Sequence, residues 1–195
     1  MKLTAIIQFL TFVTALLPLG TQDELAKGNI SAQDAAVYIR KQVTAGGNTI
    51  KLIDGKTEEV VGLTNIAGNK LDDYRNLIIE SISFKYATDA TVTDAAAVSY
   101  ITSDVPLALR NAELVLIQGN RTPINIPIMS LISGKNSSPS SVDGDRFKLM
   151  VWALIREGQK FDLNIELPEG AALGTGNHFV EVGLFGAQTA LKASA

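Results

Sequence analysis

The sequence predicts a mainly β protein, an antiparallel two-sheet sandwich or single jelly roll with an N-terminal α-helical arm. The first observation behind this prediction is a series of short apolar or alternating runs after residue 46, separated by turn-forming residues, which is typical of antiparallel strands. The second is the helical periodicity of apolar residues before residue 46. The third is the length of 195 residues, which allows one well-buried domain and an appendage. We therefore predict a helical arm over residues 1–45 and a β-sandwich domain over residues 46–195.

The composition limits the classes of function. Of all residues, 46% are hydrophobic and 19% are charged, which excludes a disordered chain and indicates apolar surface that partners cover. The net charge is -3 and the basic residues are dispersed, so no direct nucleic-acid binding is expected. The chain has no cysteine, which excludes disulfides, thiolate metal ligands and cysteine nucleophiles.

Residues 3–17 predict an amphipathic helix that carries no charge. Thr4, Gln8, Thr11 and Thr14 fall within an arc of about 120° on a helical wheel, and the rest of the surface is apolar. We predict that this apolar surface contacts a neighbouring subunit or a membrane surface. A helix buried in the core of its own domain is the plainer alternative. The predicted contact residues are Ile6, Phe9, Leu10, Phe12, Val13, Leu16 and Leu17.

Two other interpretations of the same segment stay open. Lys2, the apolar run that follows it and the small residues Val13-Thr14-Ala15 fit a cleavable signal peptide. A membrane-spanning helix fits less well, because Pro18 disfavours helical dihedrals at the residue before it. The helix would then be about 22 Å long, and a bilayer core needs ~30 Å.

A second helix is predicted over residues 31–43. Ser31 can cap it, and Asp34 follows three residues later in the arrangement of a capping box. Gly46 and Gly47 then predict a flexible hinge between arm and sandwich. Deletion of the arm is therefore expected to leave the β domain folded and to impair assembly.

About nine strands are predicted after the hinge. The dipeptide Asp54-Gly55 lies between two such runs, which predicts a β-hairpin. Apolar side chains alternate strictly from Phe161 to Leu167, so one face of that strand should lie in the core. The predicted strands span residues 49–53, 56–63, 77–86, 92–101, 112–118, 122–128, 147–155, 161–167 and 178–185.

Three segments carry further expectations about position. LMVWALI, at 149–155, is apolar on both faces, so we expect it to be covered on both sides, centrally in the sandwich or at a subunit contact. Pro123 and Pro127 alternate within one strand, which predicts an edge strand. The serine- and glycine-rich residues 133–145 predict an exposed loop.

No catalytic residue, metal site or cofactor site is predicted, so we do not expect an enzyme. The single histidine, His178, cannot form a multi-histidine metal site and is expected to be structural or at the surface. Asp143 and Asp145 flank a glycine and offer oxygens to a cation, with a solvated turn as the alternative. Trp152 lies within an apolar run and is expected in the core, which argues against an exposed sugar-binding platform.

The segment from Arg146 to Thr189 carries a resemblance. In it, Glu157-Gly158-Gln159 links a strand to the alternating strand at 161–167, and the last strand contains Leu184-Phe185-Gly186. This order resembles the closing strands of single jelly-roll capsid proteins of tailless icosahedral phages. The resemblance implies self-assembly, with an N-terminal arm that reaches a neighbour or the inner face of the shell.

The expected function is therefore that of a structural virion protein, a major, vertex or minor capsid subunit located in the virion. Its expected partners are other copies of itself and other virion proteins, with a membrane surface as the further option for the arm. The alternative is an exported β-sandwich module with a cleavable signal peptide, periplasmic or extracellular, whose loops bind a ligand.

Overall fold

Eight strands in two antiparallel sheets make up the body of the protein. The computed structural model describes residues 3–44, 47–101, 104–133 and 146–192. The helices are α1 (Leu3–Phe12), α2 (Leu19–Ala26), α3 (Leu107–Arg110) and α4 (Ile128–Ser133), with a 3-10 turn at Thr14–Leu16. The strands are β1 (Ile30–Val43), β2 (Thr49–Ile53), β3 (Leu77–Asp89), β4 (Glu113–Gln118), β5 (Arg121–Pro127), β6 (Phe147–Ile155), β7 (Phe161–Glu166) and β8 (Asn177–Leu191).

The strand pairing is that of a jelly roll. β1 pairs with β8, β2 with β7, β3 with β6 and β4 with β5, so the first half of the chain pairs antiparallel with the second half in reverse order. β8 also pairs with β3, and β7 with β4. The result is two sheets, which we call sheet A (β1-β8-β3-β6) and sheet B (β2-β7-β4-β5). The predicted sandwich fold is confirmed.

The main core lies between the two sheets. β7 contributes Phe161, Leu163 and Ile165, all fully buried, as the alternation in its sequence predicts. They belong to the same apolar cluster as Ile82 and Phe84 of β3 in the opposite sheet. Burial of these large side chains at about 25 cal/mol per Å² is the main favourable term in folding.

The helix predicted over residues 31–43 is wrong, because this segment forms strand β1. It pairs with β8 along its whole length, from Ile30 opposite Leu191 to Val43 opposite His178. Val37, Ile39 and Val43 lie on the inner face and are buried in the core. Pairing with a distant strand overrides the local capping signal. A deletion of residues 1–45 would thus remove a core strand, and the sandwich is not expected to survive it.

The hairpin predicted at Asp54-Gly55 is also wrong. β2 ends at Ile53, and residues 57–76 contribute only isolated bridges, such as the one between Ile39 and Thr64. β2 instead pairs with β7 at the opposite end of the chain. The strand predicted over residues 92–101 is reduced to one bridge, between Tyr86 and Ile101.

The other predicted strands correspond to β2 to β8, and three of these, β2, β5 and β6, lie at edges. β5 is an edge strand of sheet B, as Pro123 and Pro127 predict. β6 is an edge strand of sheet A, and only its end, residues 153–155, is buried. Met150 and Val151 are exposed, so the central position in the sandwich predicted for residues 149–155 is wrong for this part, and coverage at a subunit contact stays a prediction.

The outer face of sheet A is covered at both ends. At one end α1 packs over Ile78, Leu154 and Ala187. At the other end, residues around Ala95 cover Ala87 and Phe179. A polar groove of about 560 Å³ separates the two coverings.

Some predictions concern residues outside the described ones. These are Gly46 of the hinge, the pair Asp143 and Asp145, and residues 134–145 of the exposed loop. The other hinge residue, Gly47, is exposed in a bend between β1 and β2.

A bulge in β3 explains the glycine of the Leu184-Phe185-Gly186 motif. The register of β3 on β8 shifts between Ile79 and Ser81, so Glu80 is the extra residue. Gly186 lies opposite this bulge, and a Cβ there would overlap the carbonyl oxygen of Ile78. Any larger residue would force the two strands apart.

We expect Gly186→Ala to lower the free energy of unfolding by about 1–3 kcal/mol or more, because the added methyl group overlaps backbone atoms. Urea unfolding followed by tryptophan fluorescence measures the change. Gly47→Ala is the matched control, since no heavy atom lies within 4 Å of a Cβ at that position. Equal stability of the two variants would contradict the close approach.

Candidate assembly surface

The helical part of the predicted arm, residues 3–26, packs against sheet A of the same chain. We use the word arm for these residues from here on. Ile6, Leu10, Val13 and Leu17 are buried in one cluster with the outer face of sheet A. Four of the seven residues predicted to contact a neighbour or a membrane are therefore covered within the chain. This agrees with the plainer alternative, a helix that packs on its own domain. Phe9 and Leu16 are partly buried beside this cluster.

Phe12 differs from the other predicted contact residues. Its side chain is 88% exposed at the end of α1. It is the one member of the predicted set that remains largely available to a partner. Among the described residues, no helix combines the length and the apolar character needed to cross a bilayer.

A buried polar cluster attaches α2 to the sandwich. The hydroxyl of Thr21 donates to Glu157, and the amide Nδ2 of Asn76 donates to the other carboxylate oxygen over 3.3 Å. The backbone N–H of Glu157 in turn donates to Asn76 Oδ1 over 3.0 Å. All three side chains are buried, so each polar group needs these partners. Glu157 of the Glu-Gly-Gln motif thus holds the arm.

The turn from β6 to β7 also contacts the arm. The fully buried amide of Gln118 donates to the carbonyl oxygens of Arg156 and Gln159, over 2.9 and 3.1 Å. Arg156 Nη1 donates to the carbonyl oxygen of Leu16 over 3.1 Å. The end of β4, this turn and the arm therefore form one hydrogen-bonded unit.

An apolar groove of about 260 Å³ runs between the arm and the edge strands β5 and β6. We call it the arm groove. Two exposed side chains form its rim, Phe12 from the arm and Val151 from β6, the latter 79% exposed. Its floor includes Trp152, whose ring meets that of Phe9 edge to face with centroids 5.5 Å apart. Met150, next to Val151, is fully exposed.

Exposed apolar side chains concentrate at the arm groove. Phe12 and Val151 together present roughly 300 Å², on the order of the largest apolar patch of a typical monomer. They lie on a helix end and a bulged edge strand, where none of the described residues covers them. This surface is therefore the candidate contact surface of the described chain.

Two guanidinium groups adjoin the arm groove. Arg121 of β5 lines it, and Arg156 lies in the neighbouring depression next to Leu16. Arg121 Nη1 and Arg156 Nε are buried without a hydrogen-bond partner among the described residues. Burial, and secondly the charge of Arg121, lower the pKa of Arg156. The groove is therefore apolar with an excess of positive charge at one side.

The other residues with chemical potential have structural surroundings. His178 is buried, with Nδ1 2.6 Å from the Tyr86 hydroxyl oxygen and the two rings stacked. Burial raises the pKa of Tyr86. Trp152 is half-buried under the arm, where it supports Phe9. Within the described ranges, no three His, Asp or Glu side chains lie close enough to hold a metal ion together.

No protein-family model matches this chain, and comparison with curated proteins and with solved structures gave no match either. Function is therefore inferred from the fold and from the surface described above.

Sequence reasoning did not find Arg121 as a residue of the arm groove, because it follows a tight turn and carries no pattern. Val151 belongs to an apolar run for which a central position in the sandwich and a subunit contact were both expected. The available signal was the length of that run: an edge strand with apolar residues on both faces either is covered or binds a partner.

We expect Leu10→Ala to destabilise the protein by about 2–5 kcal/mol, because Leu10 is fully buried between α1 and sheet A. Phe12→Ala is the matched control and should change the free energy of unfolding by less than about 0.5 kcal/mol. Chemical denaturation at low protein concentration measures both. If Leu10→Ala leaves the stability unchanged, the arm is not packed on the sheet.

We expect Thr21→Val to loosen α2, because the Glu157 carboxylate then loses a buried donor at a cost of about 1–3 kcal/mol. Hydrogen exchange of residues 19–26, followed by mass spectrometry, should become faster. Thr11→Val is the control, since the Thr11 hydroxyl is exposed and bonds only within its own helix. Similar exchange in both variants would argue against the anchoring role of Glu157.

Proposed function

We propose that this protein is a structural virion protein, a self-assembling capsid subunit that functions in the shell of a virion. The observation that carries the proposal is the jelly-roll strand order, in which β1 to β4 pair in reverse with β8 to β5. Viral capsid subunits, lectins and cupins use this architecture, so the choice among them depends on the surface and the interior.

The interior favours a structural role over a cupin-like one. The space between the sheets is filled by large apolar side chains, among them Leu52, Leu114 and Phe161. A metal or small ligand would need polar groups that converge there. The fold uses its interior for stability and leaves its outer surface for partners.

The outer surface favours a protein neighbour over a membrane as the main partner of the arm. Most of the apolar face of α1 is already engaged with sheet A. What remains exposed is a local rim beside a groove, Phe12 and Val151, rather than a continuous apolar helix face. A neighbouring copy or another virion protein can fill such a groove with a few side chains.

The exported-module alternative requires removal of the first helix. Cleavage after residue 15 would remove Ile6, Leu10 and Val13 from their cluster and expose Ile78 and Ala187 of sheet A. That loss of burial disfavours the alternative in energetic terms.

Purified full-length protein tests the proposal. We expect light scattering to show large discrete particles in equilibrium with small oligomers, and negative-stain electron microscopy to show closed shells or regular lattices. A protein that stays monomeric at all concentrations, with the arm intact, overturns the proposed function.

We expect the double variant Phe12→Asp, Val151→Asp to lose assembly and to keep its unfolding midpoint, because both side chains are exposed in the single chain. Light scattering and urea unfolding on the same samples measure the two properties. Leu107→Asp, at an exposed apolar residue on α3, is the control. An equal loss in the control would assign the effect to added charge instead of the arm groove.

A further inference from the structure

We propose that the arm groove of one copy receives the loop tip Glu58-Glu59-Val60-Val61 of the next copy, so that subunits join head to tail. This inference rests on the proposed self-assembly and names the two surfaces that would meet. The groove and the tip have matching chemistry and lie on opposite edges of sheet A.

The groove side offers apolar contact and positive charge that forms no ion pair within the described part of the chain. Phe12 and Val151 form the apolar rim, and Arg121 lies in the wall with its Nη1 buried and unpaired. Arg156 adjoins it and carries a second unpaired nitrogen, Nε. Both side chains are partly exposed, so a carboxylate of a neighbouring copy can pair with the accessible part of their guanidinium groups.

The tip has the complementary pattern. Glu58, Glu59 and Val60 are exposed, and Val61 is 97% exposed. Two carboxylates beside two apolar side chains match two guanidiniums beside an apolar rim. No ion pair involves either carboxylate within the described part of the chain.

The tip is held in place by the edge of sheet A. Thr64 bridges to Ile39 of β1, and the Thr64 hydroxyl donates to the carbonyl oxygen of Tyr38 over 2.7 Å. Arg40 Nη1 donates to the carbonyl oxygen of Gly62 over 3.2 Å. The exposed residues at 58–61 therefore project from a supported loop, which limits the entropy lost when they bind.

The two surfaces can meet only between different copies. The tip is attached beyond β1, and the groove lies beside β6, and these strands are the two opposite edges of sheet A. Contact between two different patches is a heterologous interface, which forms rings and shells when the rotation between neighbours closes. A membrane is not the favoured partner, because it has no counterpart to Val60 and Val61 of the tip, and anionic lipid would repel Glu58 and Glu59. A second copy of the chain is therefore the favoured occupant of the arm groove.

The test uses charge reversal in the full-length chain. The variants are Arg121→Glu, the milder Arg121→Gln, and Glu58→Lys with Glu59→Lys. We expect each to weaken self-association at least about tenfold, measured by sedimentation velocity at physiological salt, because like charges then face each other or the pairing is lost. The control is Glu113→Lys with Glu169→Lys, which adds the same charge at two other exposed residues and should leave association unchanged.

Mixing gives the decisive result. In an equimolar mixture of the Arg121→Glu and Glu58→Lys, Glu59→Lys proteins, every contact again pairs opposite charges when the two alternate. We expect association to recover at least in part, which a folding defect in either variant would not allow. Added salt should reduce the recovery.

The outcomes separate the inference from the proposed function. If the wild-type protein assembles while the variants assemble equally well, or the mixture shows no recovery, the head-to-tail contact is overturned and the capsid proposal stands. If the wild-type protein does not self-associate, both are overturned. Assembly that requires vesicles of anionic lipid would also overturn the contact in favour of a membrane.

Discussion

The pairing of β8 with both β1 and β3 is the interaction on which the rest of the structure depends. It joins the first strand of the chain to the last, so sheet A forms only when nearly the whole chain is present. Closing so long a loop costs entropy, which the burial of Val180, Val182 and Leu184 on the inner face offsets. The outer face of the same strand carries Ala187, which forms part of the surface under the arm.

The arm and the loop tip both depend on sheet A as a rigid support. On the arm side, Glu157 accepts hydrogen bonds from α2 and from Asn76. On the tip side, Glu181 of β8 pairs with Arg40 of β1 over 2.6 Å and with Lys85 of β3 over 3.3 Å. Arg40 also holds the carbonyl oxygen of Gly62. Each of the two surfaces that we propose to meet between copies is thus attached to sheet A by its own hydrogen-bonded or ionic contacts.

The parts of the fold that could be predicted are those with a strong local pattern. Alternation from Phe161 to Leu167 and the β-branched run in β3 identify strands because a period of two places apolar side chains on one face. Residues 31–43 have a weaker pattern, and their capping residues mimic a helix start. These residues form a strand because they pair with β8, and reasoning from local sequence does not include a distant pairing partner. The prediction of a hairpin at Asp54-Gly55 failed for the same reason, since β2 pairs with the distant strand β7.

By itself the sequence determined the fold class and most of the strands, because these follow from local periodicity and composition. Only the tertiary structure decided where the opening helix lies. An amphipathic helix is equally suited to a membrane, a neighbour or its own sheet, and the choice depends on which apolar surface is within reach. It also decided that Phe12, Val151 and Arg121 share one groove, since residues so distant in the chain meet only after the sheets have formed.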